Sequence, residues 1–501
     1  MVKDDNFLRQ PVGASVVSDD IWDLSPLIKS RNVKDSHKVV KFGYIENEDL
    51  KYLIKQYAYH KMATRKGRTI VSLVNGKLPC FVYYCRDNGI DDFSDFTRDD
   101  FLKFALWLKE TKQLSSGTGA SVTGYVSEII KIGQIKGWRV PQGNVTAGLS
   151  GDILWGTRKE RGINKVQPIP ENVFNPILEH AIYDEEDPLT KAGIIIQSQT
   201  GLRISEVLSI QEGCLHKDKC GHDYMEVRLE KTEKGEPVFH KIFVNNLVVT
   251  AVKELSQKTK NLRMESGFRE LFLIRSNRTI VAVKAEKWSA RRLKSFVRRW
   301  DIRGDDGELY NLKSHQFRAT YVKELVKQKV PLAFIMKQYS HVSIEMTAYY
   351  LTLKDEEVRE IYADMILSPE SGVAGLRAGA IRNTMEGLFR GKAKEEIDEI
   401  VHDIGRTMSF NPLPNGVCLY DFRRGNCTDG DGCFFYNCPN YVTSVEFYPV
   451  LKKELDLMEK EMARLTELGR TREWQRRYIK YKYLKPLVDE LEEEIEKRNA
   501  V

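Results

Sequence analysis

The sequence predicts a mainly α fold with a small antiparallel β-sheet, and three patterns carry that prediction. Apolar residues recur at helical spacing early in the chain, at Leu50, Leu53, Ile54 and Tyr57, and again at Phe101, Leu102, Phe104, Leu106, Trp107 and Leu108. A β-prone ribbon, Val227-Arg228-Leu229-Glu230-Lys231-Thr232-Glu233-Lys234-Gly235, joins strands expected around Met225–Leu229 and His240–Val244. Near the end, Leu451, Leu455, Met458, Met462 and Leu465 alternate steps of four and three, the rhythm of helices packed side by side.

The chain has 501 residues, enough for roughly three domains. Its 78 Lys and Arg against 71 Asp and Glu give +7, only mildly basic, so a partner has to be argued from where the charge sits. Met1-Val2-Lys3-Asp4-Asp5 opens no apolar signal segment, and no run approaches the ~18 apolar residues of a membrane span. The expectation is a soluble cytoplasmic protein without membrane contact. Its eight cysteines are then read as thiols or metal ligands before disulfides.

Residues 1–40 are polar and irregular and read as an N-terminal arm. Residues 41–140 read as a bundle of short helices. Thr97-Arg98-Asp99-Asp100 is an N-cap signature, and Val122, Tyr125, Val126, Ile129, Ile130 and Ile135 fill the last helix. Lys61, Arg65, Lys66 and Arg68 are candidate phosphate contacts there, and Cys80 and Cys85 read as buried thiols. The Pro, Gly and Asn content after Val140 marks 141–168 as a linker.

Residues 169–365 form the next domain, opening near Ile169-Pro170. Cys214, His216, Cys220 and His222 cluster tightly just before the ribbon, but their spacing is not that of a standard zinc finger. Lys284–Arg303 is densely cationic, with Arg291, Arg292, Lys294, Arg298 and Arg299 as candidate DNA contacts on an amphipathic helix. Residues 366–410 read as a helical extension. At 411–445, Cys418, Cys427, Cys433 and Cys438 fall within 21 residues among glycine turns, which suggests a tetrahedral structural zinc site. Residues 446–501 read as a helical hairpin, interrupted at Gly469 and bent at Pro486.

One stretch carries chemistry. Ser314-His315-Gln316-Phe317-Arg318 places His315 and Arg318 on one helix face, and Ser340-His341 precedes Tyr350 by nine residues from the histidine. Upstream, Arg203 and Glu206 repeat the three-residue spacing in Thr200-Gly201-Leu202-Arg203-Ile204-Ser205-Glu206. Two guanidinium forks match phosphate oxygens and can stabilise a five-coordinate phosphorus. Beside such charge a tyrosine hydroxyl, ordinary pKa about 10, becomes a usable nucleophile. A lysine on the hairpin, Lys231 or Lys234, could protonate the leaving sugar oxygen.

Thr-Gly-Leu-Arg-Ile-Ser-Glu, Lys-Thr-x-Lys, His-x-x-Arg and His-x8-Tyr, in that order, resemble the tyrosine recombinases, the phage integrases and their transposon relatives. The resemblance covers Pro168–Leu353 strongly and Val40–Val140 in general form. It implies an α+β catalytic domain behind a helical core-binding domain, with catalytic Arg203, Lys231, His315, Arg318, His341 and Tyr350 and supporting Glu206. Tyr349 competes with Tyr350, and family spacing favours Tyr350; Ser340 stands where many relatives have glycine. The implied activity is strand cleavage and rejoining through a 3′-phosphotyrosine, without a catalytic cofactor, by four like or related subunits on double-stranded DNA. A similar cysteine module in some transposon-encoded members points to integration or excision of a mobile element, in the cytoplasm at the nucleoid. A catalytically silent regulator and a type IB topoisomerase are the alternatives.

Overall fold

A computed structural model of the chain describes residues 4–156, 166–219, 221–228, 239–339, 355–422, 425, 427 and 432–499. The chain divides into two compact units, Met1–Asn164 with Val281–Lys287, and Lys165–Ile280 with Trp288–Val501.

The first unit is helical, as the apolar spacing predicts. Asn47 caps the helix Glu48–Met62 by accepting from the Leu50 N–H, and Leu50, Leu53, Ile54 and Tyr57 are buried along it. Thr97 and Asp100 form the expected capping box on the helix Arg98–Glu110. The helix Ser116–Lys136 ends at Gly137, whose φ of 67° is the left-handed conformation that glycine adopts without strain.

The segment expected as a polar arm is instead built into this core. Ile21–Asp23 pairs antiparallel with Val39–Lys41, and Val17, Trp22, Val40 and Phe42 are completely buried. Phe7 stands edge-on to both Tyr52 and Tyr59. The start of the expected linker belongs to the same core. Trp155 packs flat where Gly119 leaves room for it and donates its indole N–H to Thr123 Oγ1 at 3.2 Å.

In the second unit the helix Pro188–Thr200 is buried nearly all round, through Leu189, Ala192, Ile194, Ile195 and Ile196. A three-stranded antiparallel sheet, Leu215–Lys217, Asp223–Arg228 and Phe239–Phe243 in that order, matches the expected strands within two residues. The helix Ser314–Lys327 turns Phe317, Val322 and Val326 inward, where Val322 and Val326 meet Leu332, Ile335 and Tyr339.

Beyond the helix Asp355–Leu367, the segments read as extension, cysteine module and hairpin share one core. A four-stranded antiparallel sheet runs Val373–Ala374, Tyr441–Ser444, Gly416–Cys418 and Asn411–Leu413. The hairpin Tyr448–Glu467 and Thr471–Asn499 lays Leu451, Leu455, Leu484, Val488 and Leu491 into the same core as Val417, Tyr441 and Val442. All five heptad positions of its first helix are buried, as the spacing predicts. No described helix is long and apolar enough to cross a membrane.

Candidate active site

The site begins where the helix Pro188–Thr200 stops. Gly201 takes φ 62°, and a Cβ there would meet the Tyr339 hydroxyl at 2.2 Å, so only glycine fits. The turn it makes sets Arg203 as the N-cap of the short helix Ile204–Val207. Glu206 folds back onto it twice: the Arg203 N–H donates to Glu206 Oε2 at 2.7 Å, and Arg203 Nη1 donates to Glu206 Oε1 at 2.7 Å. Gln197 ties this turn to the next element, donating to Leu202 O at 3.3 Å and Ser314 O at 3.4 Å.

Ser314 starts the helix that carries His315 and Arg318, and its Oγ lies 2.9 Å from Ser289 Oγ. Arg318 is 1% exposed, and its Nη1 reaches Glu206 Oε2 at 3.7 Å. One carboxylate therefore serves two guanidiniums. His315 lies on the exposed side of the same helix, three residues before Arg318.

Sequence reasoning missed Tyr339. The Arg318 guanidinium sits 3.7 Å from the centre of its ring, and its hydroxyl donates to Thr200 O at 2.9 Å. The ring thus supports one arginine while its hydroxyl anchors the end of the helix leading to the other. The available signal was an aromatic residue two before His341, which carries no meaning without the fold.

The structure thus brings together Arg203, Glu206 and Arg318, with His315 on the adjoining turn. Lys231, its competitor Lys234, His341, Tyr349 and Tyr350 lie outside the described residues.

The five candidate DNA-contacting cations divide into two groups. Arg292 pairs with Asp187, the N-cap of the helix Pro188–Thr200, and Arg299 Nη1 lies 2.6 Å from buried Glu185. Those two are held by the chain's own carboxylates. Arg291, Lys294 and Arg298 are exposed and make no ion pair among the described residues. In the first unit, Lys61 is buried against Glu128 at 2.7 Å and Arg68 pairs with Glu286 at 3.0 Å, while Arg65 and Lys66 are exposed.

Among the described residues no group of three or more His, Cys, Asp or Glu side chains is placed to hold a metal ion. Cys418 and Cys438 are buried and Cys427 and Cys433 half-buried, and the four thiols do not form a tetrahedral set in this geometry. Upstream, burial pushes the Cys214 thiol up to about 12, which disfavours the thiolate a metal needs. His216 and His222 face Glu226 and Asp218, and Cys220 lies outside the described residues.

Residues 168–357 match the Phage integrase family. Transposase B from transposon Tn554 of Staphylococcus aureus is 21% identical over 474 residues, covering 91% of this chain and 68% of the relative. Transposase B from transposon PsiTn554 of the same organism is 23% identical over 282 residues, covering 56% of this chain and 40% of the relative. Among solved structures, the Tn1549 transposon integrase in complex with circular intermediate DNA aligns with TM-score 0.46 at 17% identity, covering 61% of this chain and 97% of that one. The XerH site-specific recombinase in a post-cleavage complex aligns with TM-score 0.46 at 12% identity, covering 67% and 90%.

Proposed function

We infer that this chain, whose residues 168–357 belong to the phage integrase family, is a site-specific tyrosine recombinase that integrates or excises a mobile element. The carrying observation is the buried Arg203–Glu206–Arg318 cluster, whose two guanidinium forks suit a scissile phosphate. Glu206 holds both forks in place before DNA arrives, so little reorganisation remains at the moment of reaction.

In this reading the Tyr350 hydroxyl gives up its proton to solvent and its Oη attacks the phosphorus, while Arg203, Arg318, His315 and His341 share the charge of the five-coordinate state. The phosphorus–O5′ bond breaks, Lys231 gives its proton to the leaving 5′-oxygen, and the 3′-phosphate stays on the tyrosine. A 5′-hydroxyl from a partner duplex then reverses the step. Bond energy is conserved, so neither ATP nor Mg²⁺ is required. The partner is double-stranded DNA, held by four subunits of this chain or with related recombinases of the same element. Zinc at Cys418, Cys427, Cys433 and Cys438 is supported by their number and glycine setting, and not by their arrangement.

A nicked suicide duplex tests the reading. The parent and Tyr349→Phe should accumulate a covalent protein–DNA complex, and Tyr350→Phe should not. The reverse pattern would assign the nucleophile to Tyr349, and no complex with any variant would leave a silent DNA-binding protein. Transfer of the cut strand to a second duplex separates a recombinase from an enzyme that only nicks and reseals.

A further inference from the structure

The hairpin Tyr448–Glu467 and Thr471–Asn499 packs on its own chain, yet half of its second helix keeps a face that the fold does not use. From Thr471 to Pro486 this helix carries Arg472, Arg476, Arg477, Lys480, Lys482 and Lys485, with Glu473 its only acid. Most of these charges have internal partners. Arg477 pairs with Glu461 at 2.9 Å, Lys480 with Glu454 at 2.6 Å and Lys485 with Asp489 at 2.8 Å, and Glu473 is taken by Arg470 at 3.2 Å.

Three cations remain. Arg472 and Arg476 are exposed and make no ion pair among the described residues, and the contact of Lys482 is the Tyr483 ring at 5.3 Å. At about 100° per residue, these three fall within an arc of roughly 120°, opposite the buried Leu484 and Val488. Gln475, Ile479 at 53% exposure and Pro486 complete the strip, which has no carboxylate in this half of the helix. A merely solvated helix face normally mixes both signs. The first helix of the hairpin does so on its exposed positions, with Lys453, Glu459, Lys460 and Arg464.

We propose that the Arg472–Arg476–Lys482 face of the terminal hairpin is a second DNA-contacting surface, which binds the phosphate backbone without reading sequence. The argument is charge complementarity: a single-sign strip about 15 Å long, left over after internal pairing among the described residues, on a chain whose substrate is a polyanion. The inference rests on the recombinase reading for its choice of DNA over an acidic protein. Contacts of this type set affinity and register, and leave chemistry to the catalytic site.

The test uses the full chain with Arg472→Ala, Arg476→Ala and Lys482→Ala combined, beside a version with both arginines changed to Lys. Binding to a duplex of unrelated sequence is followed by fluorescence anisotropy between 50 and 200 mM salt. Three lost phosphate contacts should flatten the log–log salt dependence by about 2.7. Over that fourfold range the parent should then lose about 40-fold more affinity than the alanine variant. The lysine version should keep the parent's slope, and all should form the covalent complex at the parent's rate once DNA is saturated. An alanine variant with the parent's slope and affinity overturns the proposal, including where recombination nevertheless fails, since the face would then serve a protein partner. A parent that binds no DNA overturns the recombinase reading as well, so the two failures are distinguishable.

Discussion

Glu206→Gln is the sharpest probe of the buried cluster, because it changes charge and almost nothing else. The carboxylate accepts from the Arg203 N–H and from Arg203 Nη1, each at 2.7 Å, and lies 3.7 Å from Arg318 Nη1. A carboxamide has one acceptor oxygen, so one of the two Arg203 donors must face an NH₂ group. That loses a charged hydrogen bond, about 1.5–3 kcal/mol. It also leaves two guanidiniums, 8% and 1% exposed, without the anion between them. Breaking a buried ion pair from one side costs about 3–5 kcal/mol. At about 2.1 cal/mol/K of unfolding entropy per residue, a unit of this size shifts by about 1.4 °C per kcal/mol, so it should melt roughly five degrees lower. A bound phosphodiester brings back a negative charge, so duplex DNA should raise the melting temperature of the variant more than that of the parent. Calorimetry of the full chain with and without a cognate duplex measures both quantities, and the suicide duplex gives the cleavage rate, expected to fall at least tenfold. Equal melting temperatures, or equal stabilisation by DNA, would refute the view that Glu206 balances two buried arginines.

Tyr339→Phe keeps the ring beneath Arg318 and loses only the bond to Thr200 O, so it should cleave near the parent's rate. Tyr339→Leu removes the π face, worth about 2 kcal/mol when desolvated, and should cleave about 30-fold more slowly, with Phe rescuing what Leu loses. Removing Arg291, Lys294 and Arg298 together should weaken DNA binding and flatten its salt dependence without lowering the melting temperature. Arg292→Ala or Arg299→Ala should instead destabilise the fold, because Asp187 or buried Glu185 loses its cationic partner. Metal analysis of the purified chain should find one zinc per chain, lost on replacing Cys418, Cys427, Cys433 and Cys438 together by Ser. A metal-free chain that melts normally would remove zinc from the account.

What the sequence made legible, and what it hid, divides along a physical line. Helices declared themselves wherever one face was buried, as in the five heptad positions from Leu451 to Leu465, because burial imposes a period. Residues 4–42 impose none: Val17, Trp22, Val40 and Phe42 reach the core from irregular turns and short strands, so the segment reads as a polar arm while serving as core. The segments after Asp355 read as separate modules for a related reason. Val373–Ala374 pairs with Tyr441–Ser444 across a long stretch of chain, and such pairing leaves no local trace. The site follows the same rule. Arg203 with Glu206, and His315 with Arg318, are local spacings on a turn or helix and were visible. Their convergence through Glu206, and the ring of Tyr339 beneath Arg318, are tertiary facts.

Charge shows the limit most clearly. A run such as Arg291–Arg299 announces that cations are present, but not which of them the fold consumes. Asp187 and Glu185, about a hundred residues earlier, take Arg292 and Arg299 and leave Arg291, Lys294 and Arg298 outside. The same subtraction on the terminal hairpin removes Arg477, Lys480 and Lys485 and leaves Arg472, Arg476 and Lys482. A net charge of only +7 therefore says little about how cationic any one face is. What is available to a phosphate backbone is the remainder after internal pairing among the described residues, and the total hides it.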